Sequence, residues 1–497
     1  MKDIFKNLYI FEMANNHQGS VEHGLKIIAE MGAIARKHGI RAGVKLQYRE
    51  LDSFIHKDHI NSGASKHIKR FLDTRLNASQ FQQLVQAIKE QGMEAICTPF
   101  DEPSVALLVE HGISIIKIAS CSANDWPLLE EICRTGKPVI ASTGGLTLPQ
   151  IDKIASFCGH RHANFALLHC VGVYPASNQN INAGFIDKLR KRYPGTAIGY
   201  SGHEAPDNLD VVKIAVAKGA QILERHVGVE TDKIKLNAYS MNPVQTGKWL
   251  EAALLARAIC GPGEDKQVTR DELDSLRSLM RGAFAAGHVK KGEALSRDKV
   301  YFAIPCLEGQ TTAFEYHESM TAAGDYRPDQ PIKEIRGERS KIDLVRSVVH
   351  EVKGMLNEAN IVPGSDVLIE LSHHYGIERI REYGAVIVDI VNRMYCKKLL
   401  IVLPGQKHPT HHHKTKEETF HLLSGDIEIN LGDNQLVKMT PGDTLLVEPG
   451  TRHSFTSRSG AIIEEISTTH IKGDSYYDDD EINKKDLLER KTVVENW

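Results

Sequence analysis

From residue 8 to about residue 226, short and nearly continuous apolar runs alternate with amphipathic stretches. The runs are LYIFEMA, AGVKLQ, EAICTP, SIIKIA, PVIAST, NFALLHC, AIGYSG and QILERHV. An unbroken apolar run, as opposed to an alternating one, marks a parallel strand buried on both faces. Between the runs, segments such as VEHGLKIIAEMGAIARKHGI and SVALLVEHGI carry the helical period. Eight strand–helix repeats predict an α/β fold, a (β/α)8 TIM barrel over residues 1–268. A doubly wound open sheet would bring a Gly-rich phosphate turn after its first strand, and the chain has no GxGxxG.

The pattern then changes twice. After the helical stretch TGKWLEAALLARAIC comes the break GPGEDK, and residues 276–336 read as a small β-rich domain of short strands and turns. Residues 341–497 open with a helix-like lead, KIDLVRSVVHEVKGMLNEAN. Alternating strands follow, with turns at SGD, LGDN and PGD, the pattern of an all-β barrel or sandwich. The tail DSYYDDDEINKKDLLERK reads as polar surface.

Composition narrows the partners. A chain of 497 residues exceeds one core. Its net charge of -3, with no long basic run, predicts no nucleic-acid partner. No apolar run approaches the ~20 residues that span a bilayer, and the N-terminus lacks a signal-peptide layout, so we read no membrane partner and a cytoplasmic protein. Eight cysteines show no CxxC pairing and are read as reduced thiols. The 24 histidines are an enriched share and point to imidazole used as a ligand.

Functional groups of such barrels sit at the carboxyl ends of the strands. Those ends carry Glu12, Asn15 and Asn16; Lys45 and Gln47; Thr98; Lys117 and Ser120; Ser142 and Thr143; His169 and Cys170; Ser201 and His203; and His226. One strand-end lysine reads as a surface charge, and one histidine as a satisfied core group. Eight polar ends together read as a mouth for an oxygen-rich anion, most simply a phosphate. His203 and His226, from neighbouring strands, suit a divalent metal with positions left open for substrate.

The ordered set FEMANNHQGS, VKLQ, CTPFD, KIAS, ASTGG, LLHCVGVYP, IGYSGHE and ILERHV resembles the sialic acid (N-acetylneuraminate) synthase family over residues 8–265. A weaker likeness over 276–336 is to that family's antifreeze-like (SAF) domain. The resemblance implies condensation of phosphoenolpyruvate with an aldose, giving a 3-deoxy-nonulosonic acid and phosphate. It implies that Lys45, Lys117, Thr98, Ser120, Ser142 and Ser201 hold phosphoenolpyruvate, and that Gln47 and Tyr174 lie near the sugar. Asn16 is counted with these substrate contacts. Lys45, Lys117, His203 and His226 are the implied catalytic groups, the two histidines holding manganese or magnesium. It also implies a homodimer in which the SAF domain caps the partner's barrel. Several sugar-side features depart from the family: Ser122 stands in place of a glutamate, Gly172 of an asparagine and Gly202 of an aspartate, and the arginine expected after YFAIP is missing.

A second set lies in HPTHHHKTKEETFHLLSG. His411 and His413 form HxH, Glu418 follows after four intervening residues, and GDTLLVEPGTRH supplies His453. Strand period places both HxH side chains on one face. The spacing resembles the cupin family and implies a Zn, Mn, Fe or Ni centre held by His411, His413, Glu418 and His453. His412 then points outward, and His408 and His421 are bystanders. With the ELSHHYGIERIREYG stretch ahead of it, this region also resembles D-lyxose isomerase-like cupins. The readings open for it are aldose–ketose isomerase, sugar sensor and scaffold.

Overall fold

In the computed structural model, residues 4–60, 65–263, 266–333, 335–336, 340–364, 367–432 and 435–495 are described. The eight apolar runs form β1 Leu8–Glu12, β2 Arg41–Tyr48, β3 Glu94–Pro99, β4 Ile115–Ile118, β5 Val139–Ser142, β6 Phe165–Cys170, β7 Ala197–Gly202 and β8 Ile222–His226. They pair in parallel in chain order, and β8 returns to β1 to close the barrel.

The strands read as unbroken because their two faces enter two different cores. On β1, Tyr9 and Phe11 pack with Met31, Leu84 and Trp249 in the layer beneath the helices. Leu8 and Ile10 join Ile96, Ile115, Ile140, Leu168 and Ile222 in a plug inside the barrel. Glu12 continues the inward face one layer higher, where it pairs in register with Lys45 and with His226. Polar groups therefore enter at the layer above the plug, at the carboxyl ends of the strands. The first helix, Val21–His38, starts where Ser20 accepts the His23 N–H and stops at Gly39, whose φ of 60° lies in the left-handed region.

The chain divides into two compact units, Met1–Gln267 and Val268–Trp497. In the second unit, Gly282–Ala285 pairs with Val300–Ala303, and Thr321–Ala322 with Ile335–Arg336. Ala283, Val289, Leu295, Met320 and Ile332 share a small core there. The helix Lys341–Glu358 buries Val348, Val349, Val352 and Leu356 against Ile369 and Leu371. Beyond it lie a seven-stranded and a five-stranded sheet, the all-β cupin architecture. The polar tail differs from the expectation of mere surface: Ser475–Tyr477 pairs with Lys407–His413, and Lys491–Val494 with Leu368–Ser372. Edge pairing needs only backbone groups, so a polar sequence can supply it. No helix among the described residues is long and apolar enough to cross a membrane.

Candidate active site and metal centre

At the carboxyl ends of the barrel strands lies a cavity of about 1680 Å³. Lys45, Gln47, Thr98, Lys117, Ser120, Ser142, Tyr174, Ser201, His203 and His226, all expected from the sequence, line it together. Its floor is an ionic lattice. Lys45 Nζ lies 2.5 Å from Glu12 Oε2 and 3.0 Å from Glu224 Oε1. The Ser201 hydroxyl donates to the same Glu224 oxygen at 2.8 Å, and Lys117 donates to Ser142 Oγ at 2.6 Å. Burial draws the Lys45 ammonium down to about 8 against the pull of Glu224. For Glu224, burial works upward but the charges of Lys117 and Lys45 outweigh it, and the carboxyl falls to about 2. Glu224 Oε2 and the Thr98 hydroxyl are buried with no hydrogen-bond partner, so the floor has acceptor and donor capacity left over.

The histidine pair sits beside this lattice. His203 Nδ1 lies 2.8 Å from the Val171 carbonyl, which can only accept, so Nδ1 carries the proton and Nε2 keeps its lone pair. The His203 and His226 ring centroids are 5.3 Å apart, with Tyr174 at 4.1 Å from the first and Tyr239 at 5.0 Å from the second. Burial lowers His203 to about 4, and burial with the neighbouring His203 lowers His226 well below the usual range. Both imidazoles are thus neutral, the form that binds a metal.

Asn16 is placed differently from the expectation. Its amide donates to the Val227 carbonyl at 2.8 Å and to Ser240 Oγ at 3.0 Å, tying the loop after β8 into the wall, while Asn15 lines the cavity. Glu224, Arg49 and Tyr239 also line it and were not singled out from the sequence. The departures have physical counterparts. A Cβ on Gly202 would lie 2.5 Å from Glu204 Oε2, because the buried Glu204–Arg225 pair fills that space. A Cβ on Gly172 would meet nothing within 4 Å, so that side of the cavity is open. Ser122 is buried, and its neighbours Ser120 and Cys121 line the cavity in its stead.

In the second unit, His411 and His413 on Lys407–His413 and His453 on His453–Thr456 come from the five-stranded sheet, and His411 pairs directly with His453. Their candidate ligand atoms all lie within 4.8 Å of one another. Each ring has Nδ1 against a backbone carbonyl: Pro409 at 3.2 Å, Asp474 at 2.7 Å and Thr451 at 3.0 Å respectively. All three Nε2 lone pairs are therefore turned inward, because the carbonyls hold each Nδ1 proton and fix the ring for metal ligation. Glu418, from the seven-stranded sheet, brings Oε1 to 3.4 Å from His413 Nε2 and Oε2 to 3.4 Å from His453 Nε2. Glu418 Oε2 and His453 Nε2 are both buried without a hydrogen-bond partner. Two lone-pair bearers facing each other fit a cation between them. Burial raises the Glu418 carboxyl, but the charge of Lys416 beside it outweighs burial and holds it below the usual range. Lys416 Nζ bridges Glu418 Oε1 at 2.6 Å and Glu465 Oε1 at 2.5 Å.

His412 is half-buried and stacks on Tyr476, and His421 lies against Glu464. His408 is not remote from the centre. An irregularity in the ladder between His408 and His411 changes the inward face, so His408 is buried 4.6 Å from the His411 ring. Its Nε2 lies 3.1 Å from that of His374.

Residues 33–264 match the model of the NeuB family, and residues 398–466 that of a cupin domain. A crystal structure of spore coat polysaccharide biosynthesis protein E from Chromobacterium violaceum shares 48% identity, covers 67% of this chain and 100% of its own, and superposes with a TM-score of 0.65. N-acetylneuraminate-9-phosphate synthase of Drosophila melanogaster is 29% identical over 58% of this chain and 83% of its own. N,N'-diacetyllegionaminic acid synthase of Campylobacter jejuni is 26% identical over 66% of this chain and 99% of its own.

Proposed function

The chain belongs to the NeuB family, and from that premise we propose that it is a synthase joining phosphoenolpyruvate to an aldose of the N-acetylhexosamine type or a related sugar. The products are a 3-deoxy-nonulosonic or related ulosonic acid and inorganic phosphate. The observation that carries the reading is the convergence of Lys45, Lys117, Ser142 and Ser201 with His203 and His226 in one cavity.

In this reading Lys45, Lys117, Thr98, Ser120, Ser142 and Ser201 hold the enol phosphate, while Gln47 and Tyr174 face the sugar. A divalent cation held by His203 and His226 would supply Lewis-acid polarisation of the aldehyde oxygen. Carbon 3 of the enol phosphate forms a bond to the aldehyde carbon, whose oxygen takes up a proton. Water adds at carbon 2, and the carbon–oxygen bond to phosphate then breaks. The two lysines match the charge on the departing phosphate, and the Glu12 and Glu224 carboxylates fix Lys45 so that little reorganisation is needed. Manganese or magnesium suits the barrel pair.

The second unit reads as a separate metal cupin, with Zn, Mn, Fe or Ni held by His411, His413, His453 and Glu418, supported by the three free Nε2 lone pairs. The further reading of a homodimer, with the segment 276–336 over the partner's barrel, rests on the family resemblance alone. The test is phosphate release from phosphoenolpyruvate with a panel of aldoses and Mn. His203→Ala should abolish release and His411→Ala should spare it. Aldose–ketose interconversion without phosphoenolpyruvate, lost in His411→Ala, would instead place the chemistry in the cupin.

A further inference from the structure

The barrel cavity has a second cationic region, just past the end of β2. Lys45 and Gln47 turn inward by strand alternation, and Arg49, one residue past the end of β2, also lines the cavity. The first two are accounted for: Lys45 is matched by Glu12 and Glu224, and Gln47 donates to Glu12 at 3.1 Å. Arg49 is not. Its Nη2 donates to the side-chain Oε1 of Gln47 at 2.9 Å, and its guanidinium lies 3.6 Å from the Phe100 ring centroid and 4.1 Å from that of Phe71.

Such a clamp fixes the plane of the guanidinium and leaves its in-plane N–H donors to be used. Nε is buried with no hydrogen-bond partner, and among the described residues no carboxylate forms an ion pair with Arg49. Burial draws the group down to about 10 against the pull of the nearby Asp101 carboxylate, which forms no ion pair with it. Arg70 is exposed and lines the same cavity. Its only acidic lining residues among those described are Glu12 and Glu224, both on the floor with Lys45. A structural staple alone explains neither the unpaired Nε nor the second cation, Arg70, close to it.

We infer that Arg49, with Arg70 beside it, seats a terminal oxyanion of the acceptor, a phosphate ester or carboxylate at the end of the sugar remote from its aldehyde. The inference rests on the synthase reading and names the substrate class of that site. The donor's phosphate and carboxylate belong to the two floor lysines, and the acceptor's oxyanion belongs to the mouth.

The test uses ligands that lack an aldehyde and cannot react: a hexitol, its 6-phosphate and the corresponding hexonate. Each is titrated calorimetrically into the Mn-loaded full-length protein with phosphoenolpyruvate saturating, so that the floor is filled. The 6-phosphate or the hexonate should bind at least about tenfold more tightly than the hexitol, and the stronger of the two identifies the oxyanion. Arg49→Met should erase the preference and leave phosphoenolpyruvate binding unchanged, while Arg49→Lys should retain part of it. Arg70→Ala, at an exposed position, should weaken the preference even if Arg49→Met does not fold. Equal or absent binding of all three ligands overturns the assignment, as does an unchanged preference in both Arg49→Met and Arg70→Ala. Loss of phosphoenolpyruvate affinity in Arg49→Met also overturns it, since Arg49 would then belong to the donor site. Because these titrations need no turnover, a protein that releases phosphate with no aldose fails the synthase reading separately. Equal release with neutral and anionic aldoses would leave the synthase reading standing and sink this one.

Discussion

Glu204→Gln tests the packing that takes the place of the aspartate expected at position 202. The Glu204–Arg225 pair is fully buried, with Arg225 Nη1 2.5 Å from Glu204 Oε1. Arg225 Nη2 donates to the Glu204 carbonyl at 2.8 Å, and the Tyr200 hydroxyl donates to Oε2 at 2.9 Å. Glutamine keeps the shape and removes the charge, leaving a guanidinium in the barrel wall without its counter-ion. Removing one partner of a buried pair costs about 3–5 kcal/mol, and about 2–4 °C is lost per kcal/mol in a domain of ~200 residues. The barrel transition should therefore fall by roughly 6–20 °C in differential scanning calorimetry, followed as its own peak because the chain has two compact units. Gly202→Asp should also destabilise, since its Cβ would lie 2.5 Å from Glu204 Oε2. In Gly202→Asp with Glu204→Ala the new carboxylate inherits both the space and Arg225, and part of the loss should return. A melting point for Glu204→Gln within about 2 °C of the parent would refute the reasoning. So would a Gly202→Asp cost that is the same with and without Glu204.

Gly172→Asn enters open space and should leave the melting temperature unchanged while shifting the KM for the aldose and not for phosphoenolpyruvate; a lost barrel transition would contradict this. His374 is buried and burial lowers it to about 3, so the folded state binds fewer protons than the unfolded one between about pH 6.5 and 3. Stability from keeping this ring neutral is complete above pH 6.5 and lost as pH falls towards 3. The second unit's melting temperature should thus drop more between pH 7 and pH 5 in the parent than in His374→Gln; parallel curves would contradict it. His453→Ala should remove one equivalent of tightly held metal, read by plasma mass spectrometry, while His203→Ala removes the other; retention of both in either variant would reject the two-site assignment.

The barrel was legible because its strands are buried twice over, so each reads as an apolar run that ends where polar groups begin. Lys45, Lys117, Ser142, Ser201, His203 and His226 could be named from those ends. Glu224 was harder to see, because it lies inside ILERHV, one inward position before His226, and its role appears only when β2 brings Lys45 across the barrel. Asn16 carried the right residue type at the right strand end, yet a backbone carbonyl 211 residues away claims its amide. Arg49 lies just past the end of β2, and only the fold brings Phe71 and Phe100 onto its two faces. In the cupin, strand period sufficed for His411 and His413. His408 escaped the same rule because an irregularity in the ladder reverses the parity that the rule depends on.

The central claim is tested most directly by incubating the Mn-loaded protein with phosphoenolpyruvate and an aldose panel, and measuring phosphate and product mass together. The account predicts aldose-dependent phosphate release, matched one for one by a product heavier than the aldose by the three carbons of pyruvate, with both lost in His203→Ala. Absence of phosphate release with every aldose, from protein that carries its metal, would contradict it.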